Sequence, residues 1–154
     1  DVYKRQGAQG MAGGQAIDLA SVGLQLSEAQ LREMHRLKTG ALLHASVLMG
    51  AACKEGVDAQ AWQALSDYGQ ALGVAFQVVD DILDVVADSA TLGKTAGKDA
   101  ANDKPTYVSL LGLDQARAHA DELCALAHAA LARSGLPDTR ALAALADMVV
   151  SRTH

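Results

Sequence analysis

The chain has 154 residues, half of them hydrophobic, and a formal net charge of −5, which allows one sizeable core and little for a second domain. Acids and bases are interspersed, which argues against nucleic-acid binding and against a basic membrane-surface face, and no apolar run approaches the roughly 18 residues needed for stable membrane insertion. Aromatics make up only 3%, there are two prolines, and Ala and Leu abound, so close-packed helices are favoured over a sheet and the expected class is all-α.

Residues 1–6, DVYKRQ, share no character with the rest of the chain and read as a non-native scar, leaving 7–154 as the domain. The Gly-rich stretch GAQGMAGG leads into a short helical segment, QAIDLAS. Ser27 and Gln30 then have the spacing of a capping box for a helix from about 28 to 53, ended by Gly56. Asp58 caps the next helix, which runs through Trp62 and Phe76 to about Val86, interrupted only by Gly69 and Gly73. Residues 88–105 are polar, rich in Gly and Lys, and read as a mobile loop. A short helix comes next at about 106–112, and Asp114 and Asp138 cap two further amphipathic helices. Cys53 and Cys124 have no metal-ligand spacing. Two thiols without a secretory segment read as reduced cysteines of a cytoplasmic protein, with core packing the simplest expectation.

The chemistry concentrates in VAFQVVDDILDVV. On a helix, Gln77, Asp80, Asp81, Asp84 and Asp88 share one arc, while Val78, Val79, Ile82, Leu83, Val85 and Val86 cover the rest. A helix apolar nearly all round belongs at the centre of a bundle, with its acidic slot facing a site. No Lys or Arg occurs between Lys54 and Lys94, so the cluster lacks a nearby counter-ion in sequence. A bound cation is the natural remedy, and oxygen-only ligands favour Mg²⁺ or Ca²⁺. A solvated acidic face is the plain alternative, made less apt by the apolar surroundings.

Lys38 projects from the middle of an apolar face with Leu31, Met34, Ala41, Leu42, Ala45 and Met49. It either snorkels to the surface or aims inward at a phosphate or the acidic slot. Thr39 adds a hydroxyl, and Gln77 can orient a carboxylate or touch a ligand. Lys94 and Lys98 come after the acidic helix, where their ammonium groups could reach a ligand, although a solvated loop is the simpler account of Lys98. Gln15 and Asp18 could form an inward polar pair, with ordinary capping the alternative. The five histidines show no ligand geometry with the acids, and no nucleophile or hydride-transfer motif is present.

Taken together and in this order, GMAGGQAIDL, HRLKTGALL, ALGVAFQVVDDILDV, TLGKTAG and DKPTYVSLLGLDQA resemble the C-terminal half of the bacterial farnesyl diphosphate synthases, which are trans-isoprenyl diphosphate synthases. The resemblance runs from about residue 7 to the end. It implies an isoprenoid synthase-type all-α bundle, truncated at its N-terminus, and a cytoplasmic homodimer that joins isopentenyl diphosphate to an allylic diphosphate in the presence of Mg²⁺. On that pattern Asp80, Asp81 and Asp84 hold the metal. Lys38, Thr39, Gln77 and Lys94 line the allylic diphosphate pocket, and the first three of these are the catalytic candidates. The family's first aspartate-rich motif and its isopentenyl diphosphate cradle have no counterpart here, and product length is not legible. The competing readings are a catalytically silent helical partner of a full-length synthase and a plain helical scaffold.

Overall fold

A computed structural model describes residues 2–92 and 105–152, apart from the side chains of Val2 and of residues 87–92. The elements are α1 (Val2–Gln6), α2 (Met11–Ala20), α3 (Glu28–His35), a π-helical turn (Arg36–Gly40), α4 (Ala41–Ala52), α5 (Ala59–Leu92), α6 (Tyr107–Leu111), α7 (Leu113–Arg133) and α8 (Arg140–Ser151). Among the described residues there is no strand, in keeping with the all-α expectation.

The bundle is built around α5, whose 34 residues make it about 50 Å long. It packs against α3, the π turn, α4, α6, α7 and α8, and residues from all round it are buried, among them Leu65, Tyr68, Leu72, Ala75, Val78, Val79 and Ile82. The expected central helix is therefore found. It runs to Leu92 rather than Val86, because the polar residues after Val86 lower helix propensity only slightly and no Gly or Pro intervenes before Gly93. On α7, Ala116, Ala120, Leu123, Ala127, Ala130 and Leu131 are buried. Their spacing of three and four makes one stripe that α5 covers. Tyr68, fully buried, donates its hydroxyl to the Leu142 carbonyl at 2.8 Å and so ties α5 to α8.

Small residues set how closely the helices approach. A Cβ on Gly73 would lie 2.7 Å from the Gly40 Cα, and one on Gly14 would fall inside the Lys38 backbone. These two glycines let α5 and α2 close on the π turn from different sides. α2 starts at Met11, inside the glycine-rich stretch expected to precede it.

The capping expectations hold in part. Ser27 and Gln30 form the reciprocal box, and Asp58 accepts the Ala61 amide at 2.7 Å. Asp138 accepts the amide of Arg140, the first residue of α8. Asp114 does not cap α7. That helix starts from Gly112, whose φ of +83° suits glycine, and Asp114 lies in its first turn, where a negative charge favours the helix N-terminus. An unforeseen box, Thr106 with Ser109, starts α6. The cysteines are not core residues: Cys53 is exposed and Cys124 only half-buried.

Candidate functional site

The expected helix 28–53 is continuous but changes character midway, at Arg36–Gly40, where it widens into a π turn. Such turns displace side chains from ordinary helical register and recur at functional positions. This one carries Lys38 and Thr39. Lys38 does not snorkel: its Nζ donates to Asp18 Oδ2 at 2.8 Å, and the side chains are 31% and 7% exposed. The lysine points inward, but towards Asp18 of α2 rather than the acidic slot. Gln15 is exposed, so Asp18 alone supplies the inward polar group expected there.

Thr39 Oγ1 donates to Gln77 Oε1 at 3.0 Å, and His35 Nδ1 lies 3.0 Å from the same oxygen. The Gln77 amide nitrogen in turn donates to Asp80 Oδ2 at 3.0 Å. The relay has one consistent direction: a hydroxyl and an Nδ1–H converge on the amide oxygen, and the amide N–H₂ faces the carboxylate. Burial lowers the pKa of His35, which keeps the ring neutral and compatible with that tautomer. The ring stacks on Tyr107 with centroids 5.5 Å apart.

The three aspartates, expected to act as a set, have different surroundings. Asp80 accepts a 2.5 Å ion pair from Arg152, which corrects the expectation of a cluster without a counter-ion. Arg152 lies just past α8, sits over the Phe76 ring at 3.9 Å and donates to the Phe76 carbonyl. It is 72 positions from Asp80, and no local pattern could have linked the two. Asp81 is buried and accepts the backbone N–H of Tyr107, the first residue of α6, at 2.8 Å. Burial pushes its carboxyl up to about 7, Asp84 and Asp80 add repulsion, and the Tyr107 N–H and the Lys38 charge oppose the rise. Asp84 is exposed. Lys94, Lys98 and the Asp88 side chain lie outside the described residues.

By its chemistry this donor set suits a hard divalent cation, although the three carboxylates are not drawn within 4.8 Å of one another as Cys124, His128 and Asp147 are. All three side chains offer oxygen, and Asp80 is held in place by Gln77. Burial is the main cause of the upward push on Asp81, and the lesser repulsion from Asp84 and Asp80 is what a bound cation would relieve. A second group of potential ligands, Cys124, His128 and Asp147, lies on α7 and α8. It corrects the expectation that no histidine meets an acid and that neither cysteine has ligand spacing. The Cys124–His128 separation of four on one helix was the available signal.

Comparison with known proteins places these residues in context. The family model described as polyprenyl synthetase matches residues 4–135. A Bradyrhizobium diazoefficiens protein named probable farnesyl diphosphate synthase is 51% identical over 131 residues, covering 83% of this chain and 40% of that protein. The farnesyl diphosphate synthase of Escherichia coli K12 is 47% identical over 155 residues, covering 99% of this chain and 52% of that protein. A solved geranyltransferase of Helicobacter pylori, complexed with magnesium and isoprenyl diphosphate, has a TM-score of 0.73 at 31% identity, covering 97% of this chain and 50% of that one. The chain spans about half the length of the curated relatives it matches.

Proposed function

The chain belongs to the polyprenyl synthetase family, and we propose on that premise that it forms the allylic diphosphate site of a Mg²⁺-dependent prenyltransferase. The reaction would condense isopentenyl diphosphate with dimethylallyl or geranyl diphosphate, giving farnesyl diphosphate or a related short-chain product. The observation that carries this reading is the relay from Thr39 and His35 through Gln77 to Asp80. It fixes one carboxylate of the acidic helix beside the π turn that bears Lys38.

Asp80, Asp81 and Asp84 would hold Mg²⁺, which when bound neutralises charge on the diphosphate as it leaves. Lys38 supplies a positive charge from the π turn, and Lys94 would add a second from the segment after α5. Thr39 can turn its hydroxyl from Gln77 towards a phosphate oxygen. Together these groups favour breaking the allylic C–O bond, with the electron pair leaving on the diphosphate. The isopentenyl double bond then attacks the allylic carbon, a new C–C bond forms, and a proton is lost to the departed diphosphate. The buried walls of α4 and α5 exclude water from the cation. A cytoplasmic location and a homodimeric assembly belong to this proposal through family resemblance alone.

A non-hydrolysable geranyl thiodiphosphate titrated calorimetrically into the chain tests the proposal. Binding should require Mg²⁺ and weaken about tenfold or more in Asp80→Asn, the scale of one lost charge-assisted contact. Binding indifferent to Mg²⁺ and to that substitution would remove the metal assignment.

A further inference from the structure

We propose that Cys124 and His128 of α7, together with Asp147 of α8, form a second cation site that takes a borderline-soft divalent ion of the zinc class and clips α8 onto α7. It has no part in the relay at Asp80 and differs from the aspartate slot in chemistry. Residues four apart on a helix share a face one turn apart, so α7 presents Sγ and a ring nitrogen side by side. Asp147 supplies an oxygen from the neighbouring helix. The three donor atoms all lie within 4.8 Å of one another. His128 Nε2 is 2.6 Å from Asp147 Oδ1, and Cys124 Sγ is 3.8 Å from the same oxygen.

The sulfur–oxygen separation already suits a tetrahedral ion, whereas the 2.6 Å contact of His128 with Asp147 is a direct hydrogen bond that an ion would have to spread. Bonds of about 2.0–2.3 Å place ligand atoms roughly 3.3–3.8 Å apart, so small side-chain rotations would make room for the ion. Sulfur, imidazole nitrogen and one carboxylate is a donor mixture that selects zinc-like ions over Mg²⁺ or Ca²⁺. His128 and Asp147 are half-open to solvent, which leaves water as the fourth ligand. Burial, Asp147 and Asp121 all push the Cys124 thiol up, so without a cation the sulfur stays protonated. Binding would form the metal–sulfur bond and release the thiol proton to solvent, after which the surrounding carboxylates favour the bound charge. The consequence reaches the first site, because α8 leads directly into Arg152, the ion-pair partner of Asp80.

The test uses the tag-free, reduced chain titrated with Co²⁺ in excess Mg²⁺, which occupies the aspartates. One equivalent should produce a thiolate-to-cobalt charge-transfer band and the intense visible bands of tetrahedral cobalt, and Zn²⁺ should bleach both. Cys124→Ser should abolish the charge-transfer band, and His128→Gln and Asp147→Asn should weaken binding about tenfold or more. Cys53→Ser should change nothing. Asp147→Asn, at an exposed position, decides the matter if Cys124→Ser perturbs the far-UV circular dichroism. A missing charge-transfer band, a band that tracks Cys53, or binding unaltered in Asp147→Asn would overturn the site.

Discussion

Lys38 and Asp18 show how a single partner reverses an energetic expectation. On sequence alone, an inward lysine on an apolar face is a cost to the fold, and Lys38→Ala should leave stability equal or raise it. The structure gives the ammonium a buried carboxylate at 2.8 Å, so removing it strands the Asp18 charge. Lys38→Ala should therefore cost roughly 1–3 kcal/mol, less than for a fully buried pair because the lysine is partly exposed. Asp18→Asn in the same chain should recover much of the loss, and a double-mutant cycle on urea midpoints measures both. His35 gives a pH dependence of defined sign. Burial lowers its pKa from 6.5, so the unfolded chain takes up the proton first as the medium is acidified. Its contribution is complete above 6.5 and is lost as pH falls through the lower folded value. Asp81 acts in the opposite sense: its carboxyl, pushed up to about 7 from 3.8, stabilises the fold fully below about 4 and loses that contribution as pH rises through 7. Subtracting the stability profile of His35→Phe, which keeps a ring to stack on Tyr107, from that of the parent isolates the histidine. A difference that does not shrink towards acid would mean that burial does not lower the His35 pKa in the fold.

At the scale of elements, glycine substitutions separate positions that serve close approach from positions that serve nothing. Gly50 lies within α4 with open space where a Cβ would go, whereas a Cβ on Gly73 meets the Gly40 backbone at 2.7 Å. Gly50→Ala should stabilise by about 0.5–1 kcal/mol through helix propensity and unfolded-state entropy. Gly73→Ala should destabilise by roughly 1–3 kcal/mol, since backbone cannot rotate away as a side chain can. It should also weaken binding of the thiodiphosphate, because α5 carries Gln77 and Asp80 towards the π turn. Paired melting curves check the signs, and a stabilised Gly73→Ala would mean that the crossing is loose. The same contrast explains what could be read in advance. Hydrophobic periodicity around Val78, Val79 and Ile82 located the central helix, and the Ser27 and Asp58 caps came from local side-chain chemistry. The π turn at Arg36–Gly40 was not legible: no local residue pattern marks it, and the close approaches at Gly14 and Gly73 that surround it come from other helices. Arg152 and Asp147 were hidden for a related reason: their partners lie on other helices, and sequence spacing carries no information about which helix faces meet, although the Cys124–His128 spacing on α7 was legible.

The whole molecule leaves large apolar side chains at its surface, including Leu19, Val22, Leu24, Met49, Trp62, Leu126 and Met148, each at least 40% exposed. Single exposed hydrophobics are ordinary, but Leu19, Val22 and Leu24 cluster around the end of α2, where an apolar patch favours contact with other protein surface. The purified chain should therefore self-associate, visible as a concentration-dependent mass in light scattering. Its chemistry should stop at binding. On the proposed reading, Lys38, Thr39, Gln77, Arg152 and the aspartates would serve one diphosphate, and the chain contains a single DDxxD, Asp80 to Asp84. Condensation needs a second diphosphate held with its double bond against the allylic carbon, and proximity of that kind supplies a large part of the rate. Incubated with Mg²⁺, isopentenyl diphosphate and geranyl diphosphate, the chain should bind the allylic substrate and form no prenyl product above the blank. Radiolabelled isopentenyl diphosphate with solvent extraction of the products gives the sensitivity required. Labelled product that disappears in Asp80→Asn would show instead that the described site, alone or completed by self-association, carries the whole reaction.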